Sequence, residues 1–283
     1  MATLGLVAGS GGLPAELAAS ARRAGWRVVA VGLVELADPG LAAHVDAFEW
    51  AHVAAFGRLF DVLREAGAVD VVLAGKVPKT FLWERPDAVK PDARALAAFA
   101  ALRDRKDDSL LGAVVQVIEA EGLRVRSQLE LAPDLCAPAG VLGKVQPTPE
   151  QEQDIAFGWP VAKTIGALDI GQSVVVQGKA VLALEAVEGT DRAIERGASL
   201  ADRRRGVVVV KVAKPQQDPR FDVPTIGLAT VRTLAKGGGG ALAVEAGHTL
   251  VLEREALIVE ADAAGIALLG VDGAKLESGG GRA

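Results

Sequence analysis

Unbroken apolar runs alternate along this chain with amphipathic stretches bounded by glycine or proline. Leu4-Gly5-Leu6-Val7-Ala8 reads as a strand buried on both faces, because its apolar run has strand length and does not alternate with polar residues. It enters Gly9-Ser10-Gly11-Gly12 and then Leu13-Pro14. Proline suits the first helical turn, where a backbone N–H has no intrahelical partner to lose. Residues 15–24 carry apolar side chains at helical spacing, and Gly25 stops them. Residues 26–31 form a second apolar run. This is the strand, glycine loop, helix, strand opening of a doubly wound parallel sheet. Further on, residues 52–66 predict a helix closed by Gly67, and residues 69–74 a strand ending in Gly75-Lys76. Residues 94–103 and 107–121 predict helices, and 123–126 a short strand.

The texture then changes. Pro133, Pro138, Gly140, Gly143 and Pro147 punctuate a stretch that predicts a linker over 131–148. Thr148-Pro149-Glu150-Gln151-Glu152 starts a helix that runs to 165. Strands are expected at 173–177, 180–186, 206–212, 242–245, 249–252 and 266–269, and helices at 191–201 and 254–264. Gly237-Gly238-Gly239-Gly240 reads as a flexible turn. The fold class is α/β: a Rossmann-like parallel-sheet domain over 1–130, then a catalytic α/β domain over 149–274 and a frayed tail over 275–283.

Composition narrows the function. The sequence has 283 residues, enough for two domains at about 100–200 residues each. Half the residues are hydrophobic and 24% are charged, which excludes wholesale disorder. Aromatics are 4% and tyrosine is absent, so the core rests on Ala, Val, Leu and Ile. A net charge of -5, from 31 basic and 36 acidic residues, supplies no general basic face for nucleic acid. The single cysteine, Cys136, allows neither an internal disulfide nor a cysteine-based zinc site, and suits a reducing compartment. His44, His52 and His248 are widely spaced and form no metal motif. No apolar run approaches the roughly 20 residues of a spanning helix, and the N-terminus lacks the basic region of a signal peptide. A cytoplasmic protein is expected, with contact at a membrane surface left open.

Five stretches carry candidate chemistry. The Gly9–Gly12 loop follows a strand and opens a helix, so its N–H groups and the helix dipole suit a phosphate, with Gly11, Gly12 and Leu13 as the contacts. A tight βα turn requires the same glycines, and the pattern is neither GxGxxG nor a Walker loop. Glu35 and Asp38 stand only loosely where a dinucleotide site wants an acid. Gly75-Lys76 ends a strand at the same expected sheet edge. Acids in Arg105-Lys106-Asp107-Asp108 suit a helix start on capping grounds alone. In the second half, Glu185-Ala186-Val187-Glu188-Gly189-Thr190-Asp191 gathers three acids between a strand and a helix, where Thr190 or Asp191 is equally a helix cap. The densest polar stretch runs from Lys211 through Lys214, Asp218, Arg220, Asp222 and Thr225, stiffened by Pro215, Pro219 and Pro224. Carboxylates beside bases there suit a Mg²⁺ ion facing an anionic substrate; a salt-bridged surface loop is the plainer alternative.

Taken together these runs resemble a known family. Leu168-Asp169-Ile170-Gly171-Gln172, Glu185 to Asp191, and Arg220-Phe221-Asp222-Val223-Pro224-Thr225-Ile226-Gly227 are similar to the UDP-2,3-diacylglucosamine pyrophosphatases of lipid A biosynthesis that are unrelated to calcineurin-like phosphoesterases. Gly9 to Pro14, Ala74-Gly75-Lys76-Val77 and Asp107-Asp108-Ser109-Leu110-Leu111 extend the similarity over essentially the whole chain. The resemblance implies Mg²⁺-dependent cleavage of UDP-2,3-diacylglucosamine to UMP and 2,3-diacylglucosamine 1-phosphate. It places the key aspartate at Asp222. Asp191 and Glu188 join it as catalytic candidates, and Asp191 and Asp218 as metal candidates. Gln172, Thr190, Lys211, Lys214, Arg220, Thr225, Gly75 and Lys76 join the glycine loop as substrate contacts. An acylated substrate implies transient contact with the inner-membrane surface, and a homodimer fits the same picture. Two other readings remain: a nucleotide-dependent oxidoreductase, suggested by the opening strand–loop–helix, and a non-catalytic binder of a nucleotide sugar or lipid.

Overall fold

The computed structural model describes every residue except 79, 80, 82, 83, 101–106, 203 and 280–283. Arg105 and Lys106 therefore lie outside the described residues. The chain divides into two compact units. The first is Met1–Asp134 with Asp218–Asp222, and the second is Leu135–Gln217 with Val223–Ala283.

The first unit is built on a five-stranded sheet in the order β3-β2-β1-β4-β5, with every neighbouring pair parallel. Its strands are β1 (Thr3–Ala8), β2 (Arg27–Leu33), β3 (Ala47–Ala51), β4 (Asp70–Ala74) and β5 (Arg124–Val125). Leu4, Leu6 and Ala8 of the central strand are fully buried, as the unbroken apolar run requires. The helices are α1 (Leu13–Arg23), α2 (Phe56–Glu65), α3 (Ala93–Ala100) and α4 (Asp107–Ala120). Phe60 and Leu63 of α2 join Val115 and Ile118 of α4 in one apolar cluster with Val29, Val31 and Val71 of the sheet. The sequence pattern misplaces one element. A helix is predicted from 52, yet α2 begins at Phe56, and Ala47–Ala51 pairs with β2 from Val29↔Ala47 to Leu33↔Ala51. That strand lies at the sheet edge, and its adjacent exposed residues Glu49 and Trp50 leave no clean apolar–polar alternation to mark it.

The second unit holds a six-stranded sheet in the order β6-β13-β11-β9-β7-β8. β9 (Val207–Lys211), β11 (Gly239–Glu245) and β13 (Ala267–Val271) run parallel. β7 (Ser173–Gln177) is antiparallel to β9 and to β8 (Ala180–Leu184). β6 (Gly140–Val141) adds antiparallel to β13. A separate parallel pair joins β10 (Thr225–Ile226) to β12 (Leu250–Val251). The run Val207-Val208-Val209-Val210 shows why β9 must be apolar throughout. Val208 and Val210 pack with Ile155, Trp159 and Ala162 of the helix α6 (Pro149–Ala167). Val207 and Val209 pack with Ile194, Val231, Leu234 and Leu257. Those residues come from α7 (Thr190–Leu200), α8 (Leu228–Lys236) and α9 (Arg254–Ala263). Thr148 opens α6 with a reciprocal capping box to Gln151.

Three stretches differ from their predicted form. The linker expected over 131–148 begins where a short helix, α5 (Gln128–Leu131), ends, and sheet strand β6 lies within it. Gly239 and Gly240 belong to β11, and only Gly237 and Gly238 close α8. The first part of the tail expected over 275–283 is helical, in α10 (Gly273–Gly279), at whose start the Asp272 carboxylate accepts the Ala274 N–H at 3.2 Å.

Candidate functional site

In the first unit the strand order reverses between β1 and β4, the position at which open α/β sheets bind ligands outside the carboxyl ends of their strands. The glycine loop and Gly75-Lys76 meet there. Gly9 N–H donates to Ala74 O at 2.8 Å, Ser10 N–H to Lys76 O at 2.9 Å, and Lys76 N–H to Ser10 O at 2.9 Å. This close pass explains two glycines. A Cβ on Gly9 would stand 2.6 Å from Lys76 O, and one on Gly75 would stand 2.7 Å from Ser10 O. Gly75 also has a left-handed φ of +85°. The phosphate expectation therefore narrows, since the Gly9 and Ser10 N–H groups are already bonded. Gly11, Gly12 and Leu13 remain: Gly12 caps α1 with no side-chain bond, and space is open around both glycines. Lys76 is exposed beside them.

The turn Asp218–Asp222 belongs to this same unit. Gln128 N–H donates to Pro219 O at 3.1 Å, and Gln128 Nε2 to Leu73 O of β4 at 2.7 Å. Phe221 packs against the apolar cluster of the unit. Asp222 N–H closes one helical turn on Asp218 O at 3.0 Å. The Asp222 carboxylate is half-buried, with Oδ2 shielded from solvent. Arg220 and Asp218 do not stand as the sequence suggests. Arg220 Nε lies 3.0 Å from Asp218 Oδ1, Nη2 lies 2.7 Å from Asp218 Oδ2, and Nη1 lies 2.9 Å from Glu119 Oε1. The Arg220 bonds hold the Asp218 carboxyl below its ordinary range, against burial, and Asp218 raises Arg220 in return. Expected as a phosphate contact and a metal ligand, these two side chains instead hold each other.

The second unit places a buried polar cluster at one sheet edge, where β8, β9 and β11 end and β7 begins. Glu185 follows β8 and Lys211 ends β9, and both are under a tenth exposed. The Thr190 hydroxyl joins them: it donates to Glu185 Oε1 at 2.8 Å and accepts from Lys211 Nζ at 2.9 Å. Gln172 N–H donates to Glu185 Oε2 at 3.3 Å, and Ser173 Oγ lies 3.4 Å from the Thr190 hydroxyl. Burial pushes the Glu185 carboxyl up, but the Lys211 charge and the hydroxyl and N–H donors outweigh it, leaving a net downward shift. Behind this cluster two ion pairs grip the chain leaving β9. Lys214 Nζ meets Asp169 Oδ1 at 2.8 Å. Lys163 Nζ meets both Glu245 oxygens at 2.8 and 2.7 Å and Ala213 O at 3.0 Å, while Ala213 N–H donates to Glu245 Oε2 at 2.7 Å.

The other second-half candidates are scattered around this cluster. Asp191, in the first turn of α7, accepts the Thr230 hydroxyl at 3.0 Å. Glu188 accepts Arg196 Nη2 at 2.6 Å, which lowers its carboxyl. The Thr225 hydroxyl turns back to Val223 O at 3.1 Å. Neither Thr190 nor Asp191 caps α7, whose N-cap is Gly189. Gln172, Thr190 and Lys211 are thus brought together in the second unit. Gly11, Gly12, Leu13, Gly75 and Lys76 meet in the first, and Asp218, Arg220 and Asp222 share its added turn. Among the described residues, no three or more His, Cys, Asp or Glu side chains gather as a metal site.

The LpxI N-terminal domain family model matches residues 3–135, and the LpxI C-terminal domain model matches residues 138–269. UDP-2,3-diacylglucosamine pyrophosphatase LpxI of Caulobacter vibrioides is 42% identical over 284 residues, covering 96% of this chain and 98% of that protein. The chain belongs to the LpxI family. Two solved structures that match are more distant. Glycinamide-RNase-transformylase T of Mycobacterium tuberculosis is 16% identical with a TM-score of 0.24, over 65% of this chain and 44% of its own. A GalE-like L-threonine dehydrogenase of Cupriavidus necator is 12% identical with a TM-score of 0.32, over 95% and 86%. Both scores are too low to carry fold or activity across.

Four residues around the LpxI-family motifs escape a reading of the sequence as sites: Glu119, Gln128, Lys163 and Glu245. Each bonds to a partner distant in sequence, so no local spacing marks it. Glu185 does leave a signal. It is an acid at the end of an apolar strand, and it is the carboxylate to which Thr190 and Lys211 are tied.

Proposed function

We propose that this LpxI-family chain hydrolyses the diphosphate bond of UDP-2,3-diacylglucosamine in lipid A biosynthesis, releasing UMP and 2,3-diacylglucosamine 1-phosphate with Mg²⁺ as cofactor. The observation that carries the reading is the 42% identity, across nearly the full length of both chains, to the Caulobacter enzyme of that name. The site chemistry is compatible. Hydrolysis of a diphosphate ester needs neutralised phosphate oxygens, an oriented water and a stabilised leaving phosphate. In this reading Asp222 is the carboxylate that orients the water: it sits on a turn anchored at Pro219, Arg220 and Phe221, and would accept a hydrogen bond from the nucleophile.

A single carboxylate is compatible with a hard cation whose other ligands are water and substrate. Mg²⁺ takes oxygen ligands, commonly one or two carboxylates, with water and substrate phosphate completing the shell. Asp222 is the residue that would hold it, because both Asp218 oxygens are bonded to Arg220. Bound there, the ion would supply charge neutralisation to the diphosphate. Within the first unit, the Gly11, Gly12 and Leu13 N–H groups offer donors to a phosphate. The acyl chains keep the substrate in a bilayer, so the enzyme meets it at the membrane surface. No helix among the described residues is long and apolar enough to cross a membrane.

The test is incubation of purified protein with UDP-2,3-diacylglucosamine and Mg²⁺, with and without chelator, followed by product analysis. UMP should appear and the chelator should stop it. Asp222→Ala should keep substrate binding and lose turnover by orders of magnitude; near-normal turnover removes Asp222 from this role. Binding of the nucleotide lipid without UMP release favours a non-catalytic binder, and saturable NAD(H) binding favours an oxidoreductase.

A further inference from the structure

We propose that Glu119, acting through Arg220, is a positioning residue for Asp222. The inference rests on the role of Asp222 given above. Glu119 lies in the last turn of α4, next to fully buried Ile118 and one helical turn from buried Val115. Its carboxylate is therefore carried by a backbone fixed in the core of the first unit. Arg220 Nη1 reaches Glu119 Oε1 at 2.9 Å, while its Nε and Nη2 face the two Asp218 oxygens. Asp218 Oδ1 also accepts the Arg220 N–H at 3.0 Å. Asp218 O in turn accepts the N–H groups of Phe221 at 3.3 Å and Asp222 at 3.0 Å. A continuous chain of bonds thus runs from the α4 backbone through one guanidinium to the backbone of Asp222.

The planar fork is essential to this chain. Arg220 donates from its three guanidinium nitrogens to two carboxylates, a geometry that an ammonium cannot reproduce. The ion pairs are half-exposed, with side-chain exposures of 34% for Arg220 and 43% for Glu119. Pairs so exposed contribute little to stability, so their removal leaves the fold intact and acts on geometry. Two negative partners also oppose a third, and a substrate phosphate would have to displace a carboxylate to reach this guanidinium.

Glu119→Gln, Glu119→Ala and Arg220→Lys test the assignment in the full chain. Steady-state kinetics should show kcat lowered roughly tenfold in Glu119→Ala, with KM within about twofold of wild type, because misplacing a catalytic group costs rate before affinity. Glu119→Gln, which keeps one acceptor oxygen, should fall between. Arg220→Lys should resemble Glu119→Ala. Hydrogen exchange of the Phe221 and Asp222 amides should quicken in all three variants while the melting temperature barely moves. A raised KM at unchanged kcat in Glu119→Ala and Arg220→Lys overturns the proposal and makes Arg220 a substrate contact. Unchanged exchange at both amides overturns it as well. If the wild-type protein releases no UMP, the functional reading fails, and the exchange measurement still decides whether Glu119 seats the turn.

Discussion

Glu185 keeps its charge where water scarcely reaches. The cost of desolvation is offset by the Lys211 ammonium, the Thr190 hydroxyl and the Gln172 N–H, and the balance lies below the ordinary carboxyl range. The sign of the resulting pH dependence follows. A carboxyl with a folded pKa below its unfolded one stabilises fully above the unfolded value, and loses that contribution as pH falls through the folded one. Urea unfolding between about pH 7 and about pH 3 should therefore show stability falling with acid in wild type and a flatter profile in Glu185→Gln. Lys211→Met leaves the carboxylate buried without its cation and should cost about 3–5 kcal/mol at neutral pH. The double variant should recover part of that loss. Additive losses would mean that the two groups are not coupled through Thr190.

Between the ends of β1 and β4 the backbone itself is the structural device. Gly75→Ala would place a Cβ against Ser10 O and force a left-handed φ on alanine, so thermal or denaturant unfolding should show a loss of about 1–3 kcal/mol. A loss well under this range would show that the loop shifts without penalty. The elements around these strand ends differ in how readily the sequence reveals them. β1, α1 and β4 are legible because long apolar runs and glycine stops are local signals. The glycine loop is legible as a turn, but its spent N–H groups are not, because Ala74 and Lys76 lie far along the chain. β3 is hidden because Glu49 and Trp50 are adjacent and both exposed, which breaks the alternation that marks a strand. In the second unit, Gly239 and Gly240 look like turn residues until Gly239↔Val207 pairing draws them into β11. Arg220 is legible as a functional residue type. Its occupation by Asp218 and Glu119 is not, since the Glu119 partner depends on where α4 lies.

At the scale of the molecule, the notable fact is that Asp222 is contributed by the second half of the chain and yet housed in the first unit. Reading domains as continuous segments assigns the Arg220 to Gly227 motif wholly to the C-terminal half, whereas the fold groups Asp218–Asp222 with Met1–Asp134. Phe221 makes this a packing matter as well as a polar one, because its ring lies against the cluster that contains Phe60, Val115 and Ile118. The first unit should therefore lose stability when a residue numbered within the second half is truncated. Phe221→Ala should cost about 1–3 kcal/mol, less than a fully buried phenylalanine, because the ring is only partly enclosed. Hydrogen exchange mapped by peptide should locate that loss in β4 and α4, with β9 and β11 of the second unit unchanged. Turnover should fall in the same variant, since the seat of Asp222 loosens with the ring. Loss of protection in β9 and β11 alone would mean that the turn belongs energetically to the second unit, and the attachment of Asp222 would have to be assigned there.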